Sequence, residues 1–495
     1  DVVKLLPESA ARRFKALVLE DKGDTLLVAL SDPLDLFAFD ELSRILKRNI
    51  SIAAVPESGL ALAFDRLYRR TEEISGLARA LEKDLGEAVD FGELSASVGL
   101  EGAPVVRLLQ SLFEDAIQVG ASDIHIEPQE AGLQVRVRVD GVLQTQTQAE
   151  KRIGAALAQR LKLMAGLDIS EKRLPQDGRF SVRLKDNTID VRLSTLPTVY
   201  GESAVMRLLN HGTGMRRLDS IGMPEGMLKR FREVLGRSAG MVLVTGPTGS
   251  GKTTTLYAAL AEINAAELKV ITVEDPIEYR LAGLSQVQVN EKIELTFARV
   301  LRAVLRQDPD VLLVGEMRDA ETAEIGTRAA ITGHLVLSTL HTRDAMSTPF
   351  RLLDMGVPPF MVSTSLQAVI AQRLVRLNCR ECVGPHTLSP QEKAWLESMV
   401  PDGETVTPKR GIGCSACNGT GYSGRQGVYE LLEMDAELTQ AASRSDPASF
   451  MRAARERMKG HTMAFHALEL VRSGRTSLAE ALRVGFDVGD ADVPD

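Results

Sequence analysis

The chain has 495 residues, which is too long for a single hydrophobic core, so we expect three or four domains. Apolar residues make up 44% and charged residues 25%, as in soluble globular proteins, and the net charge of −8 argues against a protein whose main task is to grip nucleic acid. The sequence has no run of about 18 apolar residues and no export signal, so we expect a cytoplasmic protein. Because the first residue is Asp1 rather than Met, we also expect further residues upstream.

The first part of the chain is predicted to form a partial α/β domain, residues 1–70, followed by a linker, residues 71–103. The linker mixes acidic and small residues and has room for at most one helix. In the domain, apolar periodicity predicts strands at Ala16–Glu20, Thr25–Ser31 and Ile50–Val55 and helices at Phe37–Leu46 and Leu60–Arg69.

Residues 104–209 are predicted to form an α+β domain. A helix is expected at Val105–Val119, and Asp140-Gly141 has the composition of a tight hairpin turn. Alternating apolar residues predict strands at Asp123–Glu127, Leu133–Val139, Val142–Gln146, Thr188–Ser194 and Ser203–Leu209.

After a short inter-domain linker, residues 210–222, strands and helices alternate in residues 223–375. This order predicts a parallel sheet with crossover helices. Residues 376–425 contain all four cysteines, residues 426–485 are predicted to form amphipathic helices, and residues 486–495 are predicted to be a loose acidic tail.

The segment GPTGSGKTTT follows the short strand Val242–Thr245 and precedes an apolar helix, which is the context that a phosphate-binding loop requires. Its glycines let successive backbone N–H groups point at phosphate oxygens, and the lysine brings a positive charge to the outer phosphates. The hydroxyl of Thr253 can bind Mg²⁺. We predict that ATP is bound and hydrolysed here, with contacts from Gly246, Pro247, Thr248, Gly249, Ser250, Gly251, Lys252, Thr253 and Thr254.

Acidic residues follow the next predicted strand, Lys269–Val273. Glu274 and Asp275 in the segment VEDPIEY would lie at the carboxyl end of a parallel strand, where ligands bind in open α/β sheets. They are candidates to support the metal or the attacking water. The alternative is a solvated acidic turn.

A further strand, Val311–Val314, resembles a Walker B strand in which Gly315 stands where an aspartate is common. Glu316 is then the candidate to position the attacking water, or to hold magnesium through water. Asp319 is explained more simply as a helix cap.

Two histidines, His334 and His341, flank the predicted strand Leu335–Thr339. A lone histidine is usually structural, but two at one strand of a nucleotide-binding domain are candidates for sensing the γ-phosphate.

The cysteines form two CxxC pairs, Cys379 with Cys382 and Cys414 with Cys417. Two thiolates from each pair give the four soft donors of a closed tetrahedral zinc site, which is typical of structural rather than catalytic zinc. The alternative is four reduced, buried thiols without a metal.

The segments GPTGSGKT, VEDPIEY, LRQDPDVLLVGEMRDAETAE and TGHLVLSTLHT together resemble the Walker A, Asp-box, Walker B and His-box motifs of the secretion and pilus motor ATPases. The resemblance extends over at least residues 104–485, with Met317 where that family often has Ile. It implies an α/β protein with a RecA-like P-loop ATPase core, preceded by a PAS-like α+β domain and a small N-terminal α/β domain, and a zinc-binding insert.

The resemblance also implies roles and partners. The segments IDVRLSTLP and AVMRLL match those that contribute phosphate-sensing arginines, giving Arg192 and Arg207, whereas the residues alone would indicate only surface charges on strands. Glu316 would be the catalytic carboxylate, and His334 and His341 would relay between their strand and the neighbouring domain. The implied assembly is a homohexamer, with nucleotide held between two domains, that works with an inner-membrane platform protein and a cytoplasmic partner.

In the same family, the tetracysteine insert is typical of motors for pilus extension or protein secretion and is generally lacking in retraction motors. The segments LLPESAARRF and LLVALSDPLDLFAFDEL resemble the later part of the N-terminal domain of MSHA-type pilus assembly ATPases, in which the upstream part binds cyclic di-GMP. We assign no residues to that ligand. The alternative is a general docking domain.

Two functions from other classes remain as alternatives. A DNA translocase or helicase would need basic channel residues and stacking aromatics, and the acidic balance and single Trp argue against it. We therefore expect no nucleic-acid partner. A regulatory module could use the nucleotide only as a conformational switch, and multiple-turnover phosphate release would exclude it.

Overall fold

The structure is a computed structural model, which describes residues 2–57, 59–60, 63–64, 74–78, 81, 104–184, 187–210, 216–263, 267–400, 404 and 406–488. The chain forms two compact units, one drawn from residues 1–212 and 413–419, the other from residues 213–412 and 420–495. In the described part of the chain, none of the helices combines the length and the apolar character needed to cross a bilayer.

The N-terminal part of the first unit contains a three-stranded sheet in the order β1-β2-β3, with β1 and β2 antiparallel and β2 and β3 parallel. The three predicted strands and the predicted helix Phe37–Leu46 are confirmed, and each of their ends lies within one residue of the prediction. Of the predicted helix Leu60–Arg69, only residues 60, 63 and 64 lie within the described residues, and they are helical. The elements are α1 (Glu8–Phe14), β1 (Ala16–Asp21), β2 (Thr25–Leu30), α2 (Leu36–Leu46) and β3 (Asn49–Ala54).

The rest of the first unit is a six-stranded antiparallel sheet in the order β6-β5-β4-β9-β8-β7. Asp140 and Gly141, with φ of 49° and 85°, form the predicted hairpin turn between β5 and β6. The elements are α3 (Pro104–Gln118), β4 (Asp123–Pro128), β5 (Leu133–Val139), β6 (Val142–Ala149), α4 (Lys151–Met164), β7 (Gln176–Leu184), β8 (Asn187–Thr198) and β9 (Gly201–Asn210).

Two of these elements, α4 and β7, were not predicted from the sequence. In β7 the charged and polar residues around Gly178 mask the apolar alternation, and only pairing with β8 fixes this segment as a strand. Within the predicted linker, the described residues Ile74, Ala78 and Leu81 are helical and buried in the same apolar core as α3.

The second unit is built on a seven-stranded sheet in the order β12-β11-β13-β14-β10-β15-β18. All pairs are parallel except β15 with β18. Its first elements are α5 (Glu225–Leu235), β10 (Gly240–Thr245), α6 (Lys252–Ile263), β11 (Val270–Glu274), β12 (Ser285–Gln288), α7 (Phe297–Val304), β13 (Val311–Val314), α8 (Ala320–Ile331), β14 (Leu335–Leu340), α9 (Thr348–Asp354), α10 (Pro359–Ser365) and β15 (Leu366–Asn378).

The remaining elements are β16 (Val383–Pro385), α11 (Pro390–Met399), β17 (Lys409–Gly411), β18 (Tyr422–Glu433), α12 (Ala436–Ser443), α13 (Pro447–Met458), α14 (Met463–Arg472) and α15 (Leu478–Val488).

The strand β18 corrects the sequence-based division of the C-terminal part. Residues 422–433 are a strand of the main sheet, whereas the prediction divided the chain at 375 and 425 and expected only helices after 425. The prediction failed because β18 pairs with β15 across an insertion, and local periodicity does not reveal a partner so distant in sequence. The cysteine segment is thus an insert between two adjacent strands.

Candidate active site

The predicted phosphate-binding loop connects β10 to α6. Gly246, with φ of 145°, has room for no side chain, because a Cβ there would lie 2.4 Å from the carbonyl oxygen of Gln372 and 2.7 Å from Ser250 Oγ. Gly249 and Gly251 also have positive φ, at 79° and 89°, which favours glycine at both positions. The glycines of the motif are therefore required by the backbone path of the loop.

The loop is anchored to the sheet by Gln372 of β15. The side chain of Gln372 donates to the carbonyl oxygen of Ser250 at 2.7 Å and accepts from Thr255 Oγ1 at 2.8 Å. No local motif in the sequence marks Gln372 as part of the site, and only the pairing of β10 with β15 reveals it.

Lys252 lies at the N-terminus of α6, and its ammonium donates to the carbonyl oxygens of Gly246 at 2.8 Å and Pro247 at 3.1 Å. The pKa of Lys252 is lowered to about 8, mainly because burial disfavours the charged ammonium. The nearby carboxylate of Glu316 raises this pKa and the guanidinium of Arg373 lowers it. The buried hydroxyl of Ser250 has no hydrogen-bond partner among the described residues. A cation and an unsatisfied hydroxyl on a loop that begins a helix fit a nucleotide phosphate, and Thr253, the predicted Mg²⁺ ligand, is exposed.

Three of the predicted acidic and histidine residues meet at the same edge of the sheet. Asp275, Glu316 and His341 follow the adjacent strands β11, β13 and β14, beside the loop that follows β10. Because parallel strands present their carboxyl ends at one edge, the four motifs converge although they span about a hundred residues of sequence. Convergence of this kind is what phosphoryl transfer needs.

Glu316 forms the centre of this group. Its Oε2 accepts from Arg318 Nε at 2.9 Å, and its Oε1 lies 3.2 Å from His341 Nε2. Arg318 also lies 3.8 Å from an Asp275 carboxylate oxygen. The carboxylate of Glu316 is thus held in one orientation by two neighbouring cationic or hydrogen-bonding groups.

The glycine that replaces the usual Walker B aspartate has a structural reason. A Cβ at Gly315 would lie 3.2 Å from the carbonyl oxygen of Val273 on β11, and the Gly315 N–H donates to that same oxygen at 2.8 Å. The close approach of the two strands favours glycine here. The predicted helix cap is confirmed, since Asp319 Oδ1 accepts from the N–H of Thr322 at 2.8 Å.

Glu274 occupies a different environment from Asp275. Its side chain is buried and accepts hydrogen bonds from the hydroxyl of Tyr257, from Thr272 Oγ1 at 2.6 Å and from Gln286 Nε2 at 3.2 Å. Burial raises the pKa of Tyr257, and its hydrogen bond to Glu274 adds to the rise, so the phenol remains a donor. The solvated-turn alternative therefore does not describe Glu274, which ties β11 to the helix that begins in the phosphate loop.

Replacing Tyr257 by Phe is expected to destabilise the protein by about 1.5–3 kcal/mol, because a buried carboxylate loses one donor. The matched control is Tyr279→Phe, since the Tyr279 ring packs edge-on against Tyr257 with centroids 4.6 Å apart but its hydroxyl is outside the network. Thermal melting followed by circular dichroism measures the difference. Equal melting temperatures for the two variants would contradict this account of Glu274.

The structure separates the two histidines, which corrects the expectation that both lie near the nucleotide. His334 precedes β14 and His341 follows it, so they lie at opposite edges of the sheet, about 20 Å apart. The ring of His334 is hydrogen-bonded through Nδ1 to the carbonyl oxygen of Ala329 at 2.9 Å. Only His341 joins the group around Glu316, because the two ends of β14 lie at opposite edges of the sheet.

Arg192 and Arg207 lie in the first unit, on β8 and β9, where they are directly opposite each other in the antiparallel pair. Arg207 Nε lies 3.2 Å from Asp123 Oδ1 on the neighbouring strand β4. Pairing across the sheet brings the two predicted arginines together, which their separation in sequence did not reveal.

The four cysteines converge as predicted. The Sγ atoms of Cys379, Cys382, Cys414 and Cys417 all lie within 4.8 Å of one another, and no disulfide joins them. The Sγ atoms of Cys414 and Cys417 are 3.7 Å apart, close to the spacing of about 3.8 Å expected when zinc binds sulfur at about 2.3 Å in a tetrahedron. The donor set and its spacing therefore fit zinc.

The turns around the cysteines depend on glycine. A Cβ at Gly413 would lie 2.6 Å from the carbonyl oxygen of Gly419, and one at Gly421 would lie 2.2 Å from the carbonyl oxygen of Gly411. The N–H of Cys379 donates to the carbonyl oxygen of Gly421 at 2.9 Å. These close backbone contacts bring the two cysteine pairs together.

Comparison with known proteins supports the same interpretation. A family model described as "Type II/IV secretion system protein" matches residues 100–483. The chain belongs to this family. A second model, the MshEN domain, matches residues 1–74 and confirms the predicted character of the N-terminal domain.

Curated relatives of the family cover nearly the whole chain. The "Type II secretion system ATPase E" of Vibrio cholerae is 42% identical over 97% of this chain and 97% of its own length. The "Type IV pilus assembly ATPase PilB" of Myxococcus xanthus is 40% identical over 97% of this chain and 86% of its own length. These relatives confirm the predicted resemblance to secretion and pilus motor ATPases.

Comparison with solved structures confirms the fold. The pilus retraction motor PilT with bound ADP is 28% identical, with a TM-score of 0.52, over 76% of this chain and 96% of its own. The ATPase DotB of Legionella pneumophila has a TM-score of 0.57 at 21% identity, over 76% of this chain and 95% of its own, and supports the fold alone.

Proposed function

We propose that this chain hydrolyses ATP and uses the energy to drive assembly of a pilus or secretion filament at the inner membrane, as part of a homohexamer. The observation that supports this most strongly is the convergence of Lys252, Asp275, Glu316 and His341 at the carboxyl ends of adjacent strands. The two curated relatives are named as a secretion system ATPase and a pilus assembly ATPase, and these names support the same function.

Within this proposal, the chain's own residues divide the tasks. Lys252 and the loop N–H groups bind the phosphates, and Glu316 orients the attacking water, steadied by Arg318 and His341. Thr253, with Asp275 nearby, would hold Mg²⁺, which would supply positive charge against the negative charge that develops in the reaction. Arg192 and Arg207 bring further positive charge to the phosphates, and Glu274 positions the strand that carries Asp275.

Two further features belong to the proposal. We propose that the tetracysteine insert holds one structural zinc ion, supported by the thiol spacing. We also propose that the N-terminal domain binds cyclic di-GMP, supported by the MshEN match, without assigning residues. The proposed partners are an inner-membrane platform protein and a cytoplasmic assembly or secretion protein.

Genetic complementation tests the proposed function. In the organism that carries this gene, its deletion should abolish either surface filaments or protein secretion. The wild-type gene should restore the lost function, whereas Lys252→Ala should not. Co-purification with the full-length chain then identifies the platform protein. Restoration by Lys252→Ala would exclude an ATP-driven role, and stimulation of hydrolysis by single-stranded DNA would favour a translocase instead.

The lowered pKa of Lys252 predicts how nucleotide binding depends on pH. Phosphates favour the charged ammonium, so affinity should be full below the pKa of about 8 and decline as the pH rises through it. Binding of a fluorescent ATP analogue at several pH values measures this decline. The affinity of the Lys252→Arg variant should not decline in this way, because its guanidinium stays charged. A wild-type affinity that stays constant up to about pH 10 would contradict the prediction.

A further inference from the structure

A cavity of about 690 Å³ lies within the second unit, beside the last helix of the fold. One wall is the first turn of α11 with the loop before it, and the others are β17 and one face of α15. This volume is within the range of about 300–1,000 Å³ that is usual for binding pockets. We call it the α11–α15 cavity, and its main lining residues are Leu388, Glu392, Arg410, Leu482 and Arg483.

Two exposed arginines bring positive charge to this cavity. Arg410, in the middle of β17, makes no hydrogen bond or ion pair within the part of the chain that the structure describes. Arg483 donates through Nη2 to the carbonyl oxygen of Leu374 at 2.8 Å and to Glu480 Oε2 at 3.0 Å. Both guanidinium groups therefore have N–H groups left for a ligand.

The two carboxylates near these arginines are buried and already hydrogen-bonded. Glu480 accepts from both the main-chain N–H and the guanidinium of Arg376, each at 2.8 Å, besides Arg483. Glu392, the acid among the described lining residues, accepts from the N–H of Ser389 at 2.9 Å. With the arginine of β17, three guanidinium groups stand against two carboxylates, which leaves a positive surplus for an acidic ligand.

The segment that follows α15 carries complementary groups. α15 ends at Val488, and the remaining seven residues of the predicted acidic tail, 489–495 with the sequence GDADVPD, lie outside the described residues. Three of the seven are aspartates, and a Val-Pro pair lies between the last two of them. The half-buried Leu388 and the buried Leu482 give the cavity an apolar wall that suits this pair. Proline also limits the conformations that the segment loses on docking.

The segment is long enough to reach the cavity. At a rise of 1.5 Å per residue, Arg483 lies about 8 Å and Ala479 about 14 Å back along α15 from its last residue. Seven residues in extended form span up to about 25 Å. Gly489 follows the helix directly, and a glycine there permits the positive φ with which chains commonly reverse after a helix. A short tether also gives a millimolar effective concentration, so individually weak ion pairs suffice.

We propose that residues 489–495 dock in the α11–α15 cavity of their own chain, where their aspartates pair with Arg410 and Arg483 and their Val-Pro pair contacts the leucine wall. The docked segment fastens α11 and β17, which lie between β15 and β18 in sequence, to the last helix of the second unit. Its docking is independent of ATP hydrolysis.

Zero-length cross-linking of the full-length chain tests this placement. Arg410→Lys keeps the positive charge and puts an amine in the cavity, which a carbodiimide can join to an aspartate of residues 489–495. The matched control is Arg455→Lys, because Arg455 is likewise an exposed arginine but lies on α13, outside the cavity. Mass spectrometry after digestion should find the cross-link to the segment in Arg410→Lys and not in the control. Its absence from both, or its presence in both, would overturn the inference.

Mixing ¹⁵N-labelled and unlabelled Arg410→Lys chains identifies the copy that supplies the segment. Docking within one chain gives cross-linked peptide pairs of uniform label. Pairs of mixed label would assign the cavity to the segment of a second copy and overturn docking within the chain.

Trp395 on α11, the single tryptophan of the chain, provides a second measurement. Its indole packs against α15 near the point where the segment leaves the helix, since a Cβ at Gly485 would lie 3.0 Å from Trp395 Nε1. Deletion of residues 489–495 should shift the tryptophan emission to longer wavelength, because the indole becomes more accessible to water. Salt at about 1 M should cause the same shift in the wild type, since the Debye length falls to about 3 Å.

Coupling between the segment and the arginine is measured by the same emission. Arg410→Gln should shift it as the deletion does, and the two changes together should shift it no further, because they remove one contact. Arg455→Gln should leave it unchanged. Shifts that add in the double variant, or a deletion without any shift, would overturn the pairing of Arg410 with the segment.

Discussion

Replacing Glu316 by glutamine should leave ATP binding intact and lower the rate of hydrolysis about 10²- to 10⁴-fold, the contribution typical of a positioned general base. The amide keeps the size of the side chain but cannot accept a proton from water. Glu316 already lies within hydrogen-bonding distance of Arg318 and His341, so the groups that would orient it are in place.

The matched control for this variant is Glu324→Gln. Glu324 is also a glutamate paired with an arginine, Arg328, but it is half-exposed on α8 and outside the site. Steady-state phosphate release and equilibrium ATP binding should be measured for both variants. We expect the control to match the wild type, and near-normal hydrolysis by Glu316→Gln would remove Glu316 from its proposed role.

Replacing one cysteine of each pair, Cys379→Ser with Cys414→Ser, should remove the bound zinc and unfold the insert. A closed site of four thiolates contributes directly to folding, and structural zinc in small domains binds with an apparent free energy of about 10–16 kcal/mol. Because the insert joins β15 to β18, its loss should also lower the melting temperature of the second unit.

Elemental analysis of the purified chain measures its zinc content and so tests this prediction. We expect one zinc ion per wild-type chain. Ser415→Ala is the matched control, because Ser415 lies between Cys414 and Cys417 but offers no thiolate. It should keep the metal. Wild-type protein that contains no zinc and has four thiols that become titratable only on unfolding would instead support the alternative of reduced, buried cysteines.

The phosphate loop could be predicted because its chemistry is local. One strand, one glycine-rich turn and the first turn of one helix supply every group from Gly246 to Thr254, so the sequence pattern and the site coincide. The CxxC pairs are local in the same way, since each pair supplies two donors from one turn. The Asp319 cap also depends on residues three apart.

The rest of the site depends on the order of strands in the sheet. Asp275, Glu316 and His341 meet because β11, β13 and β14 are neighbours, and Gln372 reaches the loop because β15 pairs with β10. Sequence patterns made His334 and His341 equal candidates for sensing the γ-phosphate, and only the direction of β14 distinguishes them.

The sequence by itself determined the family, the phosphate loop and the metal-ligand set, because these depend on short segments whose residues act together. Tertiary structure decided which of the predicted residues converge, that β18 returns to the main sheet, and that Arg192 and Arg207 lie opposite each other on neighbouring strands. The physical reason is that strand pairing joins residues far apart in the chain, whereas periodicity reports only whether each segment is a strand or a helix.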